Sequence, residues 1–304
     1  GCSSLEKFTF SSQLKSLPEY CFAYCKNLKS IDLPKSLEKT EEGVFLHNSS
    51  LTNISGLDFV KDLGPSSFAF CSSLTEIALF PEIDTIEHST FDQCFNLKSI
   101  GDNVRPKAIE GWAFRDCPNV LEGNILCSEA ESIGVSAFEG CAAIQNVVIN
   151  DKLTTISQSS FKKCNNLSSI VIPESVTSIG ERAFWGCRRL SLINIPKSVT
   201  SIGNWAFYDC SSLTSIIIPQ AFHSQQKASD LSLTHLWPDG FFPQGNLGPL
   251  AYEIDDGQVT ITYCDRAAEG ELEIPAKIEG APVTSVGERA FARCSWLTSI
   301  VIPE

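Results

Sequence analysis

Phe184-Trp185-Gly186-Cys187 is the stretch from which the whole chain can be read. Its spacing, Phe-x-x-Cys, returns at Phe22…Cys25, Phe68…Cys71, Phe91…Cys94, Phe114…Cys117, Phe138…Cys141, Phe161…Cys164, Phe207…Cys210 and Phe291…Cys294. From Cys2 to Cys210 the step is 23 residues nearly every time; Asn48 stands once in the Cys place after Phe45, and the step from Cys117 to Cys141 is 24. A fixed period of this length is the mark of a solenoid, in which each coil touches only its neighbours.

One coil, Leu190 to Ser212, gives the internal plan. Counting Leu190 as position 1, the apolar residues are Ile193 (4), Ile195 (6), Val199 (10), Ile202 (13), Ala206 (17), Phe207 (18) and Cys210 (21). Positions 4 and 6 alternate as a strand does, and Pro196 at 7 ends that strand because it has no N–H for a ladder. Positions 10 and 13 form a second short extended piece. Gly203 at 14 is expected to permit the turn that follows. Positions 15–22 suit one or two helical turns with Ala, Phe and Cys inward. A single coil cannot bury this apolar set, but stacked coils can, with about 4.8 Å between rungs. Ten rungs would run on the order of 50 Å. The fold class expected is an α/β solenoid with a parallel β-sheet on one face and short helical turns on the other, right-handed by the rule for parallel crossovers.

Segments such as Ile172-Pro173-Glu174-Ser175-Val176-Thr177-Ser178-Ile179-Gly180, followed by Ala183-Phe184 and Cys187, resemble the BspA-like leucine-rich repeats. The resemblance covers roughly residues 1–219 and 271–304. It implies a cell-surface or secreted protein, often an adhesin, of the kind found in bacteria and some protists.

Several coils depart from the plan. Thr40 and Glu41 replace the usual Ile-Gly, Gly56 falls at position 6, and Asp102 stands where an apolar residue belongs. An extra residue sits near Leu121-Glu122-Gly123-Asn124, so a bulge or kink is expected over residues 100–127. The repeat stops after Pro219. Residues 220–237 have helical composition and would cover the open end of the first array. Pro238, Gly240, Pro243, Gly245, Gly248 and Pro249 read as a linker. Residues 250–263 read as a β-hairpin around Asp255-Asp256-Gly257, and from Leu272 a coil resumes with about five extra residues between Pro275 and Val283. The expected organisation is therefore an array over 1–219, a helix and connector over 220–249, and a hairpin opening a second array over 250–304. Both ends fall in mid-repeat and the chain has no Met, which reads as a fragment of a longer protein.

The net charge of −13 and pI near 4.8 argue against nucleic acid and anionic membrane as partners, since both require Lys/Arg footprints. No apolar run approaches the ~18 residues of a transmembrane helix. Of thirteen cysteines, ten share one position. Ligands one coil apart would form a line rather than a tetrahedron, so the cysteines read as buried structural thiols and no metal or cofactor is expected. Cys21, beside Phe22 in the place of the usual Ala, reads as core. Mostly unpaired thiols would by themselves suggest a reducing compartment, against the surface setting that the resemblance implies. His47, His88, His223 and His235 make no ligand pair. No nucleophile elbow, Walker loop or GxGxxG is present, and the chain reads as non-catalytic. Asn48-Ser-Ser, Asn53-Ile-Ser and Asn166-Leu-Ser match the glycosylation acceptor at near-chance frequency.

Positions 3 and 5 flank the buried positions 4 and 6, so they face outward. In the first half they are polar or small. In the second half an apolar stripe develops through Val148, Val171, Asn194 and Ile217 at position 5, with Asn146, Ser169, Leu192 and Ser215 at position 3. These eight residues are the candidate binding face, for a protein or glycan ligand. A second aromatic group, Trp112 and Trp205 at position 16 and Trp185 and Tyr208 at position 19, reads as cover for the core, with the last two rings stacked. The competing readings are a scaffold or regulatory region of a larger enzyme, or a structural spacer.

Overall fold

The computed structural model describes residues 1–101, 103–120, 127–218, 245–247, 250–264, 268–288, 290–292 and 294–302. Asp102, the extra residue near 121–124 and the helix read over 220–237 lie outside the described residues.

The coils stack as their period requires. Position 4 is buried and 3 and 5 are exposed in Ser30–Asp32, Asn53–Ser55, Asn146–Val148, Ser169–Val171 and Leu192–Asn194. These strands pair in parallel one coil apart: Ile31 with Ile54, Val147 with Ile170, and Ile193 with Ile216 of Ser215–Ile217. Among the described residues the sheet is segmented in the middle of the array, where the coils of Leu74 and Leu97 pair through one bridge, Glu76 to Ser99. Positions 12 and 13 build a second parallel system in three groups of three strands. Ser16–Leu17, Lys39–Thr40 and Asp62–Leu63 form the first, Thr85–Ile86, Ala108–Ile109 and Ser132–Ile133 the second, and Thr155–Ile156, Ser178–Ile179 and Ser201–Ile202 the third. Ala108 pairs with Ser132, so this ladder keeps its register across the 24-residue step.

The third side of the coil differs from the expected helical turns. Positions 16 and 20 are left-handed in every coil of the first array, as at Arg182 (φ 55), Gly186 (φ 76), Trp205 (φ 56) and Asp209 (φ 57). A right-handed helix cannot pass through such residues. Instead the chain makes successive i→i+3 turns: Trp185 N–H donates to Arg182 O at 3.1 Å and Cys187 N–H to Phe184 O at 3.1 Å. The alternate donors go to the next coil, from Arg182 to Asn204 O (3.1 Å), Phe184 to Ala206 O (2.9 Å) and Gly186 to Tyr208 O (2.7 Å). A helix would have closed those N–H groups within the coil; here they bind coil to coil.

Position-14 glycines also have another reason than the one expected. Gly134, Gly180 and Gly203 lack a positive φ, and a Cβ on them would lie 2.4, 2.5 and 2.3 Å from backbone of the preceding coil. They allow close approach rather than a turn. Gly56, by contrast, has φ 86 and opens a short 3-10 turn, Leu57–Phe59, that buries Leu57.

The Phe column fills the core. From Phe45 to Phe207 every ring is fully buried, and neighbouring rings lie nearly parallel, as in Phe161–Phe184 (5.8 Å, 4°) and Phe184–Phe207 (5.6 Å, 7°). Each buried Phe contributes about 1.5–3 kcal/mol by transfer from water.

A second cluster is formed by Leu250, Tyr252, Val259, Ile261, Cys264, Ile274 and Ile278. Leu250–Asp255 and Gln258–Cys264 pair antiparallel around Asp256 (φ 47) and Gly257 (φ 73), a two-residue loop with both residues left-handed, which suits strand twist. Gly245–Leu247, read in sequence as linker at Gly245, adds a strand to this hairpin. The extra residues after Pro275 form a further small hairpin, Lys277–Ile278 with Ala281–Val286, around Glu279 and Gly280. Gln258–Cys264 serves the coil beyond it as a preceding coil would. Gly287 N–H donates to Ile261 O (2.6 Å), and Cys264 N–H donates to Ala290 O (2.6 Å).

Candidate binding surface

The eight candidate residues lie on two hydrogen-bonded pairs of strands. Asn146–Val148 and Ser169–Val171 place Asn146 beside Ser169 and Val148 beside Val171. Leu192–Asn194 and Ser215–Ile217 place Leu192 beside Ser215 and Asn194 beside Ile217. The backbones at Ser215 and Ile217 are described; their side chains lie outside the description. Val148, Val171 and Leu192 are 47, 59 and 55 % exposed, values that a core residue never reaches. Their neighbours at position 4, Val147, Ile170 and Ile193, are buried and hold the strands flat against the core. Ser169 Oγ donates to Asn146 Oδ1 at 2.7 Å, fixing two polar groups across adjacent rungs.

The cysteines are packing groups with one added contact. From Cys71 to Cys210 each column thiol donates to the carbonyl of the Phe in the preceding coil, as in Cys94 to Phe68 (3.0 Å), Cys164 to Phe138 (3.2 Å) and Cys210 to Phe184 (3.2 Å). Burial pushes the Cys71 and Cys210 thiols up to about 12, so the reactive thiolate is suppressed. Cys294 repeats the contact on Cys264 O (3.5 Å), which gives Cys264, outside the repeat in sequence, the carbonyl role of a column Phe. Cys21 is exposed rather than core, because its coil is the outermost of the described stack on that side. Asn48 is fully buried, and its Oδ1 accepts the Cys25 N–H at 2.8 Å; its Nδ2 has no partner. A buried amide cannot accept a glycan, which removes the Asn48 acceptor match.

The turn side carries an arrangement that sequence reasoning missed. Position 19 alternates in sign along the stack as Asp92, Arg115, Glu139 and Lys162. Arg115 grips the buried Asp92 with two hydrogen bonds, Nε to Oδ1 at 2.8 Å and an Nη to Oδ2 at 2.7 Å, and Lys162 meets Glu139 at 2.8 Å. The hydrogen bonds to Asp92 raise the Arg115 pKa further. The signal was visible as opposite charges one coil apart. Trp185 and Tyr208 meet, but edge-on, with centroids 5.4 Å apart and planes at 83°. The Trp185 face is already taken by cations, Lys162 at 5.0 Å and Arg182 at 5.3 Å. His47 is stacked between Tyr24 and Phe70, and His88 Nδ1 lies 3.1 Å from Ser89 Oγ; His223 and His235 lie outside the described residues. Among the described residues no group of three or more His, Cys, Asp or Glu is placed to hold a metal ion.

A family described as the BspA type leucine rich repeat region matches residues 1–121 and 126–230 in six copies. The chain belongs to this family. Among solved structures, the BspA-type chain is similar to a leucine-rich repeat protein from Bacteroides ovatus, at 22 % identity over 73 % of this chain and 74 % of that one, with a TM-score of 0.38. It is similar to a leucine rich cell surface protein from Faecalibacterium prausnitzii at 19 % identity, over 75 % and 91 % of the two chains, TM-score 0.33. The pneumococcal vaccine antigen PcpA matches at 15 % identity, over 96 % and 72 %, TM-score 0.45. No curated protein matches the chain.

Proposed function

We propose that this BspA-type repeat chain is a non-catalytic binding module that contacts a protein or glycan through the exposed sheet face. The observation that carries the reading is the exposure of Val148, Val171 and Leu192 on strands fixed by a buried row immediately behind them. Apolar side chains exposed on successive rungs are held in water only at a cost, and a ligand that covers them removes it. Binding would come from many weak contacts repeated along a rigid surface. The family supports a cell-surface or secreted setting for the module. Unpaired thiols are compatible with an oxidising setting here, since the column thiols are buried and protonated.

The test is charge substitution on the face. Val171→Asp and Ile217→Asp should abolish binding of a partner captured by the intact chain, while circular dichroism and thermal unfolding stay as in the parent. Unchanged binding in both variants would sink the assignment of the face.

A further inference from the structure

We infer that the face takes a neutral polysaccharide rather than a protein; this rests on the sheet-face reading above. Its first support is charge. Positions 2, 3 and 5 from Gln145 to Ile217 are twelve residues (four strands of three), and none is charged, in a chain of net charge −13. The same positions from Glu6 to Gly101 hold Glu6, Lys7, Lys29, Asp32, Glu76 and Lys98. The neutral zone therefore coincides with the exposed Val148, Val171 and Leu192 and ends where they end.

Hydrogen-bond polarity is the second support. Three hydroxyl protons on this face are spent on the preceding rung, while the amides of Gln145, Asn146 and Asn194 can donate as well as accept. Ser168 Oγ donates to Gln145 O (3.1 Å), Ser169 Oγ to Asn146 Oδ1 (2.7 Å), and Thr214 Oγ1 to Ser191 O (3.4 Å). What these hydroxyls present outward is lone pairs. The matching ligand is uncharged, rich in O–H donors and carries C–H faces that can rest on Val and Leu. A neutral sugar polymer has all three properties. A protein partner fits less well, since interface energy concentrates on Trp, Tyr and Arg, and this face supplies none of them. Each rung supplies one apolar and two neutral polar residues, about 4.8 Å from the next, so a polymer can use several at once.

Affinity electrophoresis of the intact chain, in gels holding soluble β-glucan, mannan or xylan and in parallel gels holding their carboxymethylated forms, tests this. At least one neutral polymer should retard the chain, with retardation changed less than roughly twofold between 0.05 and 0.5 M salt, because no charge pair is being screened. Val171→Asp and Leu192→Asp should each weaken that retardation about tenfold or more, by placing a charge against an apolar contact. Retardation by none of the neutral polymers, or only by the carboxymethylated ones in a salt-sensitive way, would overturn the ligand class while leaving the face to be judged by its own partner test. Neutral binding that both variants retain would overturn the face itself.

Discussion

At the scale of single residues, Asn48 shows how much one side chain can depart from a repeat without breaking it. Its position was plain in the sequence as the one place where Cys is absent. That its Nδ2 is buried without a partner was not, because satisfaction depends on the carbonyls that the neighbouring coil brings near. An orphaned buried donor costs about 1–3 kcal/mol, whereas from Cys71 to Cys210 the thiol in this place donates to the Phe carbonyl of the preceding coil. Asn48→Cys removes that orphan but also the acceptor of the buried Cys25 N–H, so stability should stay within about 1 kcal/mol of the parent, read as a nearly unmoved urea midpoint at unchanged slope; a larger shift either way would refute it. The thiols give a second residue-scale expectation. Only Cys2 and Cys21 are exposed, so a thiol reagent should label those two quickly and the buried column only on unfolding. Glu87 gives a third. Burial first, and then Glu110 and Asp62, raise its carboxyl above the ordinary 4.5. The fold thus holds this proton more tightly than the unfolded chain does. Its contribution is complete below 4.5 and is lost as pH rises through the raised value. Glu87→Gln should melt higher than the parent near neutral pH, and the difference should close on acidification; a difference that persists in acid would count against this account.

Among the elements, the strands were legible and the turns were not. Alternation at positions 4 and 6, with proline after them, is a signal carried by the residues themselves. The left-handed residues at positions 16 and 20 carry no such signal: Gly holds three of the eighteen places, and Trp, Arg, Ser, Lys and Asp hold ten. Their conformation is imposed by the hydrogen bonds to the next coil, which exist only once the stack has formed. The Trp185–Tyr208 pair was read correctly as neighbours and incorrectly as stacked, since Lys162 and Arg182 already cover the indole. The eight face residues were placed by the same alternation that placed the core. The segmentation of the sheet around Glu76 and Ser99, together with the division of the face into two strand pairs, depends on backbone detail below the resolution of a residue pattern. The buried Asp92–Arg115 pair makes a prediction at this scale. Arg115→Met leaves a carboxylate 4 % exposed without its partner, and removing one member of a buried pair costs about 3–5 kcal/mol. Chemical denaturation should show that loss, and Asp92→Leu in the same chain should recover much of it.

For the whole molecule, the organisation reduces to one operation applied repeatedly. Three hydrogen-bonded tracks run along the stack: the one at positions 16–20 joins each coil of the first array to the next, and those at positions 3–5 and 12–13 run in segments of two or three coils. Each coil therefore draws its stability from its neighbours as well as from itself. The core of the first array, from Leu17 to Ile218, is one continuous cluster, distinct from the cluster of the 250–302 region. A chain ending at Ile218 should fold cooperatively by itself, with amide exchange protection highest in the middle coils and falling toward the ends; uniform loss of protection would contradict it. The tracks also bear on how such a gene can change. An insertion of a few codons inside a coil would throw three ladders out of register at once, whereas duplicating or deleting a whole coil leaves every ladder matched. The single extra residue in the 117–141 step leaves the register of the 12–13 ladder intact. Length in this protein is thus heritable in near-whole units of 23 residues. Recombination between copies can extend or shorten the exposed face without redesigning a single contact in the core.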